Sequence, residues 1–115
     1  MKVLVIEDDP FVREMAVTQL EEAGFEVIEA ADGGQALRLL QTGMTVDALL
    51  TEVQMPEVNG WEVAKAYRER FPALPVIYVT SYVEQMQPVP GGVIVSKPYK
   101  LSLVIGLLRP RVRTD

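Results

Sequence analysis

Leu49-Leu50-Thr51-Glu52-Val53-Gln54-Met55-Pro56 is the stretch on which the reading of this chain turns. A short apolar run stops at a carboxylate and is followed by a turn that proline fixes. Open α/β sheets put their chemistry at strand ends of this kind. Two other stretches share the shape. Val3-Leu4-Val5-Ile6 runs into Glu7-Asp8-Asp9, and Val93-Ile94-Val95-Ser96 runs into Lys97-Pro98. Continuous apolar runs rich in β-branched residues mark strands buried on both faces.

Working outward, the segments between these runs read as helices and further strands. Asp9 suits an N-cap and Pro10 the first helical position. Phe11, Val12, Met15, Ala16, Leu20 and Ala23 then recur at helical spacing until Gly24 stops them. Phe25 to Ala30 alternates in part, which predicts a second strand nearer an edge. Asp32 caps a second helix through Ala36, Leu37 and Leu40, ending near Gly43. Val46 to Thr51 is the third strand, with Glu52 just past its end. Asn59-Gly60 opens a helix carrying Val63, Ala64, Tyr67 and Phe71 on one face. Pro72 and Pro75 bracket a loop before a fourth strand, Val76 to Thr80. Between Ser81 and Gly92, Pro88, Pro90, Gly91 and Gly92 leave room for at most about two helical turns. Val93 to Ser96 is the fifth strand, Lys97-Pro98-Tyr99 a turn, and Leu101 to Leu108 the last helix.

Strands alternating with helices imply a doubly wound parallel sheet with right-handed crossovers. The apolar first and third strands belong at its centre. A chain of 115 residues suits one domain, expected to span all of them. The net charge is −5 and no basic tract exists, which argues against nucleic acid as the main partner. Arg109, Arg111 and Arg113 read as a frayed terminus. With no cysteine there is no disulfide framework or thiolate metal site, and with no histidine the commonest general base is missing. The first apolar run is too short for a signal peptide or a membrane span, so a cytoplasmic location is expected.

The loops after strands one, three, four and five share the carboxyl edge of such a sheet. They carry Glu7-Asp8-Asp9, Glu52 to Pro56, Thr80-Ser81 and Lys97-Pro98. Converging carboxylates suit a hard cation such as Mg²⁺, which takes oxygen ligands, and the backbone carbonyl of Gln54 could complete the shell. A hydroxyl at Thr80 and an ammonium at Lys97 suit phosphoryl oxygens. Taken singly these residues are ordinary: Asp9 a helix cap, Thr80 a strand end, Lys97 a solvated charge. Their meeting at one rim is what points to chemistry.

In this order and spacing, Val5-Ile6-Glu7-Asp8-Asp9, Glu52-Val53-Gln54-Met55-Pro56 with Gly60, Val79-Thr80-Ser81 and Ser96-Lys97-Pro98-Tyr99 resemble the response-regulator receiver domain of two-component systems. The resemblance covers essentially the whole chain. It implies a flavodoxin-like (βα)5 fold with strand order 2-1-3-4-5, and a signalling module rather than an enzyme. It also implies Mg²⁺ bound by Glu7, Asp8, the residue at 52 and Gln54, a phosphoacceptor at 52, a switch hydroxyl at Thr80 and a phosphate-pairing Lys97. The partners it implies are a sensor histidine kinase or phosphotransfer protein and a downstream protein, with no nucleic acid or membrane.

Three departures matter. The family's acceptor is aspartate, and this chain has Glu52. One extra methylene moves the carboxylate by about 1.3 Å, a large error in a site that needs sub-ångström placement. The expectation is therefore weak Mg²⁺ binding and no efficient phosphorylation, with Glu52 reaching toward Lys97 and Thr80 as a partial mimic of the acyl phosphate. Second, the aromatic readout residue three before the lysine is Ile94 here. Third, the segment between Thr80 and Lys97 is short, so the fourth helix is expected to be stunted or absent. Pro75 to Tyr82 resembles an atypical receiver subgroup in which Tyr82 could take over the readout.

Two versions stay open from sequence. Either Glu52 is native, or it replaces the aspartate of an ordinary phosphoreceiver. Two other classes fit less well: a carboxylate- and Mg²⁺-dependent phosphotransfer enzyme, and a flavodoxin-like cofactor binder. The second would want a Ser/Thr/Gly-rich loop where Glu7-Asp8-Asp9-Pro10 stands. Leu101, Leu103, Val104, Ile105, Leu107 and Leu108 nearly encircle the last helix. Leu103 and Leu107 are expected off the sheet face, suiting a partner or a homodimer. Trp61 is expected to be a partly exposed packing residue.

Overall fold

In the computed structural model, which describes residues 1–81 and 87–109, the apolar runs form one parallel sheet. The elements are β1 (Lys2–Ile6), α1 (Pro10–Glu22), β2 (Glu26–Ala30), α2 (Gly33–Gln41), β3 (Ala48–Glu52), α3 (Gly60–Arg70), β4 (Val76–Thr80), β5 (Val93–Ser96) and α4 (Leu101–Leu108). The strand order is β2-β1-β3-β4-β5, with all neighbours parallel. Both expectations, topology and central β1 and β3, are met. Among the described residues no helix lies between β4 and β5, as the proline and glycine content of that segment implies. Tyr82 lies outside the described residues, as do Arg111 and Arg113.

Alternation along the strands makes two cores. Leu4, Ile6, Leu49, Val76 and Tyr78 face α2 and α3 with Ala36, Val63, Ala64 and Tyr67. Val3, Val5, Leu50, Ile77 and Val79 face α1 and α4 with Ala16, Leu20, Leu101, Val104 and Leu108. Period-two side chains on a sheet covered on both sides require this division. The caps fall where expected. Asp9 accepts from the amides of Phe11 and Val12, Asp32 from Gln35, and Asn59 from Glu62.

Three details differ from the reading of the sequence. β3 begins at Ala48 and includes Glu52, so the carboxylate ends the strand rather than following it. Phe11, Val12 and Met15 keep their helical spacing but face outward, at 78%, 36% and 61% exposure. Trp61 is buried, not partly exposed, at 7%. It reaches the core because Gly60 brings the start of α3 hard against β3. Its ring packs on Tyr78, with centroids 4.5 Å apart. The Tyr78 hydroxyl in turn accepts from the Val89 amide at 3.0 Å, holding the chain that runs into β5. Tyr78→Phe would leave that buried amide unpaired. An expected loss of about 1–2 kcal/mol is measurable by urea unfolding; an unchanged midpoint would mean that water satisfies the amide.

Candidate functional site

The parallel register sets the carboxyl ends of four strands side by side. Ile6 lies against Thr51, Glu52 against Val79, and Thr80 against Ser96. The next backbone bond continues the ladder: the Lys97 amide donates to the Thr80 carbonyl at 2.9 Å. Glu7, Glu52, Thr80 and Lys97 therefore share one rim, as the sequence predicts. Glu7, Glu52 and Thr80 are all buried. Asp8 and Gln54 are exposed. Ile94 is partly buried and packs on the α2–α3 side of the sheet.

Lys97 Nζ forms a salt bridge with Glu52 Oε2 and lies 3.9 Å from Glu7 Oε2. One ammonium thus faces two buried carboxylates. Burial, followed by the charge of Lys97 opposing it, sets the Glu7 carboxyl. The nearby Glu52 charge and a hydrogen bond to Glu52 add to burial, and Glu7 is pushed up to about 7. Burial works to lower the Lys97 ammonium, but its hydrogen bond and charge contact with Glu52, helped by Glu7, raise it above the usual lysine value. Burial, with Glu7 second, also raises the Tyr99 hydroxyl.

One contributor was not picked out from the sequence. Arg13 Nη1 donates to the Glu7 carbonyl at 2.8 Å, and its Nε pairs with Glu29 at 3.3 Å. It fixes the backbone of the acidic loop from the first turn of α1. The signal available was its place four residues after the Asp9 cap, one turn along and pointing back at the loop. Gly60 also shapes the site. Its amide donates to the Val53 carbonyl at 2.8 Å, and a Cβ there would overlap the Glu52 carbonyl oxygen. Gly60→Ala must displace α3 from the acidic strand end, with an expected cost of about 3 kcal/mol. Thermal unfolding checks it; a loss below about 1 kcal/mol would mean the contact relaxes freely.

The donor chemistry, carboxylates and a carbonyl, is that of a hard-cation site, but the arrangement does not fit one. Among the described residues no three acidic side chains gather closely enough to hold a metal ion. The Lys97 ammonium lies against both Glu7 and Glu52. No step through a metal follows from this arrangement.

A profile of the response regulator receiver domain matches residues 3–92. The chain belongs to that family. The transcriptional regulatory protein CpxR of Escherichia coli is 39% identical over 90 residues, covering 78% of this receiver and 38% of CpxR. Among solved structures, a response regulator receiver protein of Sinorhizobium medicae superposes with a TM-score of 0.90 at 24% identity. The match covers 96% of this chain and 92% of that one. The Thermotoga maritima response regulator TrrA, solved in complex with Mg(2+)-BeF, gives 0.85 at 24%, over 96% and 98%. At those identities the two structures speak for the fold alone. The receiver spans about half the length, or less, of the curated relatives it matches. Receiver domains are modules of two-component phosphorelay signalling. No helix among the described residues is long and apolar enough to cross a membrane.

Proposed function

We propose that this receiver signals through protein–protein contacts with its acceptor position held by an internal ion pair rather than switched by a phosphoryl group. The observation that carries the reading is the salt bridge between Lys97 Nζ and Glu52 Oε2 at a buried strand end. The lysine that would pair with a phosphoryl oxygen is already engaged by the carboxylate that would have to become phosphorylated. The mimicry is partial, because Glu52 brings one charge where an acyl phosphate brings nearly two. Thr80, at the neighbouring strand end, is the switch hydroxyl in this reading. Mg²⁺ at Glu7, Asp8, Glu52 and the Gln54 carbonyl would have to displace Lys97 from both buried carboxylates, so the reading does not depend on the metal. A histidine kinase or phosphotransfer protein and a downstream protein are the partners, and the cytoplasm is the compartment.

Incubation with Mg²⁺ and a small acyl-phosphate donor, followed by intact mass, tests the proposal. The chain is expected to keep its mass. Stoichiometric phosphorylation of the Glu52 chain would refute the reading. The second version, an ordinary phosphoreceiver in which glutamate replaces the natural aspartate, is favoured by the rest of the rim being in place around position 52.

A further inference from the structure

The end of β3 is joined to the approach to β5 by a run of contacts on the α2–α3 side of the sheet. It starts at the backbone of residue 52. The Gly60 amide donates to the Val53 carbonyl at 2.8 Å, and a Cβ on Gly60 would overlap the Glu52 carbonyl oxygen and crowd the Val53 Cα. Strand end and helix start therefore touch backbone to backbone, and neither can shift without the other. Trp61, the next residue, is buried and lies against the buried Tyr78. Tyr78 in turn pairs with Thr51 of β3 on one side and Ile94 of β5 on the other. Its hydroxyl accepts from the Val89 amide. The Val89 carbonyl accepts from the Gly92 amide at 2.9 Å, closing the turn that enters β5. Glycine at 92 answers a need for space. A Cβ there would come within 2.9 Å of the Tyr78 ring and 3.0 Å of the Val89 carbonyl oxygen. Tyr78 thus fills the corner at which the chain turns into β5.

Two properties give this run a use beyond packing. It is tightly packed from end to end, and a close-packed interior passes a displacement on rather than absorbing it. It also ends on a contact with two distinct states, because a single hydroxyl–amide bond is either made or broken. No helix among the described residues lies between β4 and β5, so no helical ladder holds this stretch in place of that bond. Ile94 packs against the same cluster but is aliphatic, with no ring to turn. We propose that Trp61 and Tyr78 form a relay. The state of the carboxylate at position 52 sets, through Gly60 and these two rings, how firmly Val89 is anchored ahead of β5. The relay goes beyond the ion-pair reading above and does not depend on whether position 52 takes a phosphoryl group.

Amide hydrogen exchange in the full chain, read residue by residue by NMR, tests this. Glu52→Gln keeps the length of the side chain and removes the charge that holds Lys97. It should speed exchange at Val89 by about fivefold or more, as for groups coupled through shared contacts. The Leu49 amide, bonded to the Pro75 carbonyl at the opposite end of the sheet, should change less. In a Trp61→Leu background, Val89 should no longer respond to Glu52→Gln. A Trp61 with a structural role only would speed exchange at Val89 and leave that response intact. Trp61→Phe, a smaller ring at the same place, should diminish the response and serves if Trp61→Leu does not fold. The relay is overturned if Glu52→Gln leaves Val89 unmoved, if Val89 and Leu49 move in step, or if the response is undiminished in the Trp61 variants. Phosphoryl uptake scores the Glu52–Lys97 reading separately, and either conclusion can stand without the other.

Discussion

Offered Mg²⁺ and an acyl-phosphate donor, the Glu52→Asp variant is expected to take up one phosphoryl group at least about a hundred times faster than the Glu52 chain. The argument is geometric. Shortening the side chain withdraws the carboxylate by about 1.3 Å, away from Lys97 Nζ, with which Glu52 Oε2 now makes a salt bridge. The freed ammonium can then meet an incoming phosphoryl oxygen. Every other part of the rim keeps its place, because β1, β3, β4 and β5 are tied by register rather than by residue 52. Intact mass over time gives both rates. Equal rates would show that a methylene's displacement is tolerated and that the ion pair does not block the site. No uptake by either chain would show that the rim lacks a further requirement, and would remove the ion pair as the explanation.

Loss of Lys97 is expected to have the second large effect. Lys97→Ala leaves Glu7 and Glu52 buried without their common countercharge. Removing one partner of a buried pair costs about 3–5 kcal/mol, and the partial exposure of Lys97, 28%, puts the expectation at the lower end. The loss should depend on pH in a defined direction. Glu7 is raised from 4.5 to about 7 in the folded chain, chiefly by burial. Its contribution to stability is therefore fully present below about 4.5 and is lost as pH rises toward 7. Without Lys97, whose charge opposes the effect of burial, Glu7 holds its proton more tightly still. The deficit of the variant should be greatest at pH 8, where Glu7 must ionise, and smaller at pH 5. Urea unfolding at the two values measures it. A deficit equal at both would mean that the ammonium acts through packing and not through charge.

Much of this was legible in the sequence because it depends on local order. Uninterrupted apolar runs gave the strands, Asp9, Asp32 and Asn59 marked the helix starts, and the carboxyl ends of the strands carried the rim. The reach of Glu52 toward Lys97 could also be anticipated, since an extra methylene has to go somewhere. The burial of Trp61 could not. A tryptophan one residue into a helix reads as rim, and only the close approach of Gly60 to the Glu52 carbonyl carries it inward. The outward face of α1 was hidden for a related reason. Ala16 and Leu20 are buried in the core, while Phe11 and Met15 on a neighbouring stripe of the same helix are exposed. Arg13 was missed because its partners, a backbone carbonyl and a glutamate on another strand, leave no mark beyond its place one turn after Asp9. The shared charge of Glu7, Glu52 and Lys97 depends on residues 45 positions apart, beyond any local reading.

The packing of Trp61 against Tyr78 makes the chain its own optical gauge. It holds a single tryptophan, so all indole emission comes from one place. That indole sits one residue beyond the glycine pressed against the Glu52 carbonyl, and it touches the tyrosine that anchors Val89. Light absorbed at one point therefore samples the acceptor strand and the approach to β5 together, and no dye has to be attached to watch either.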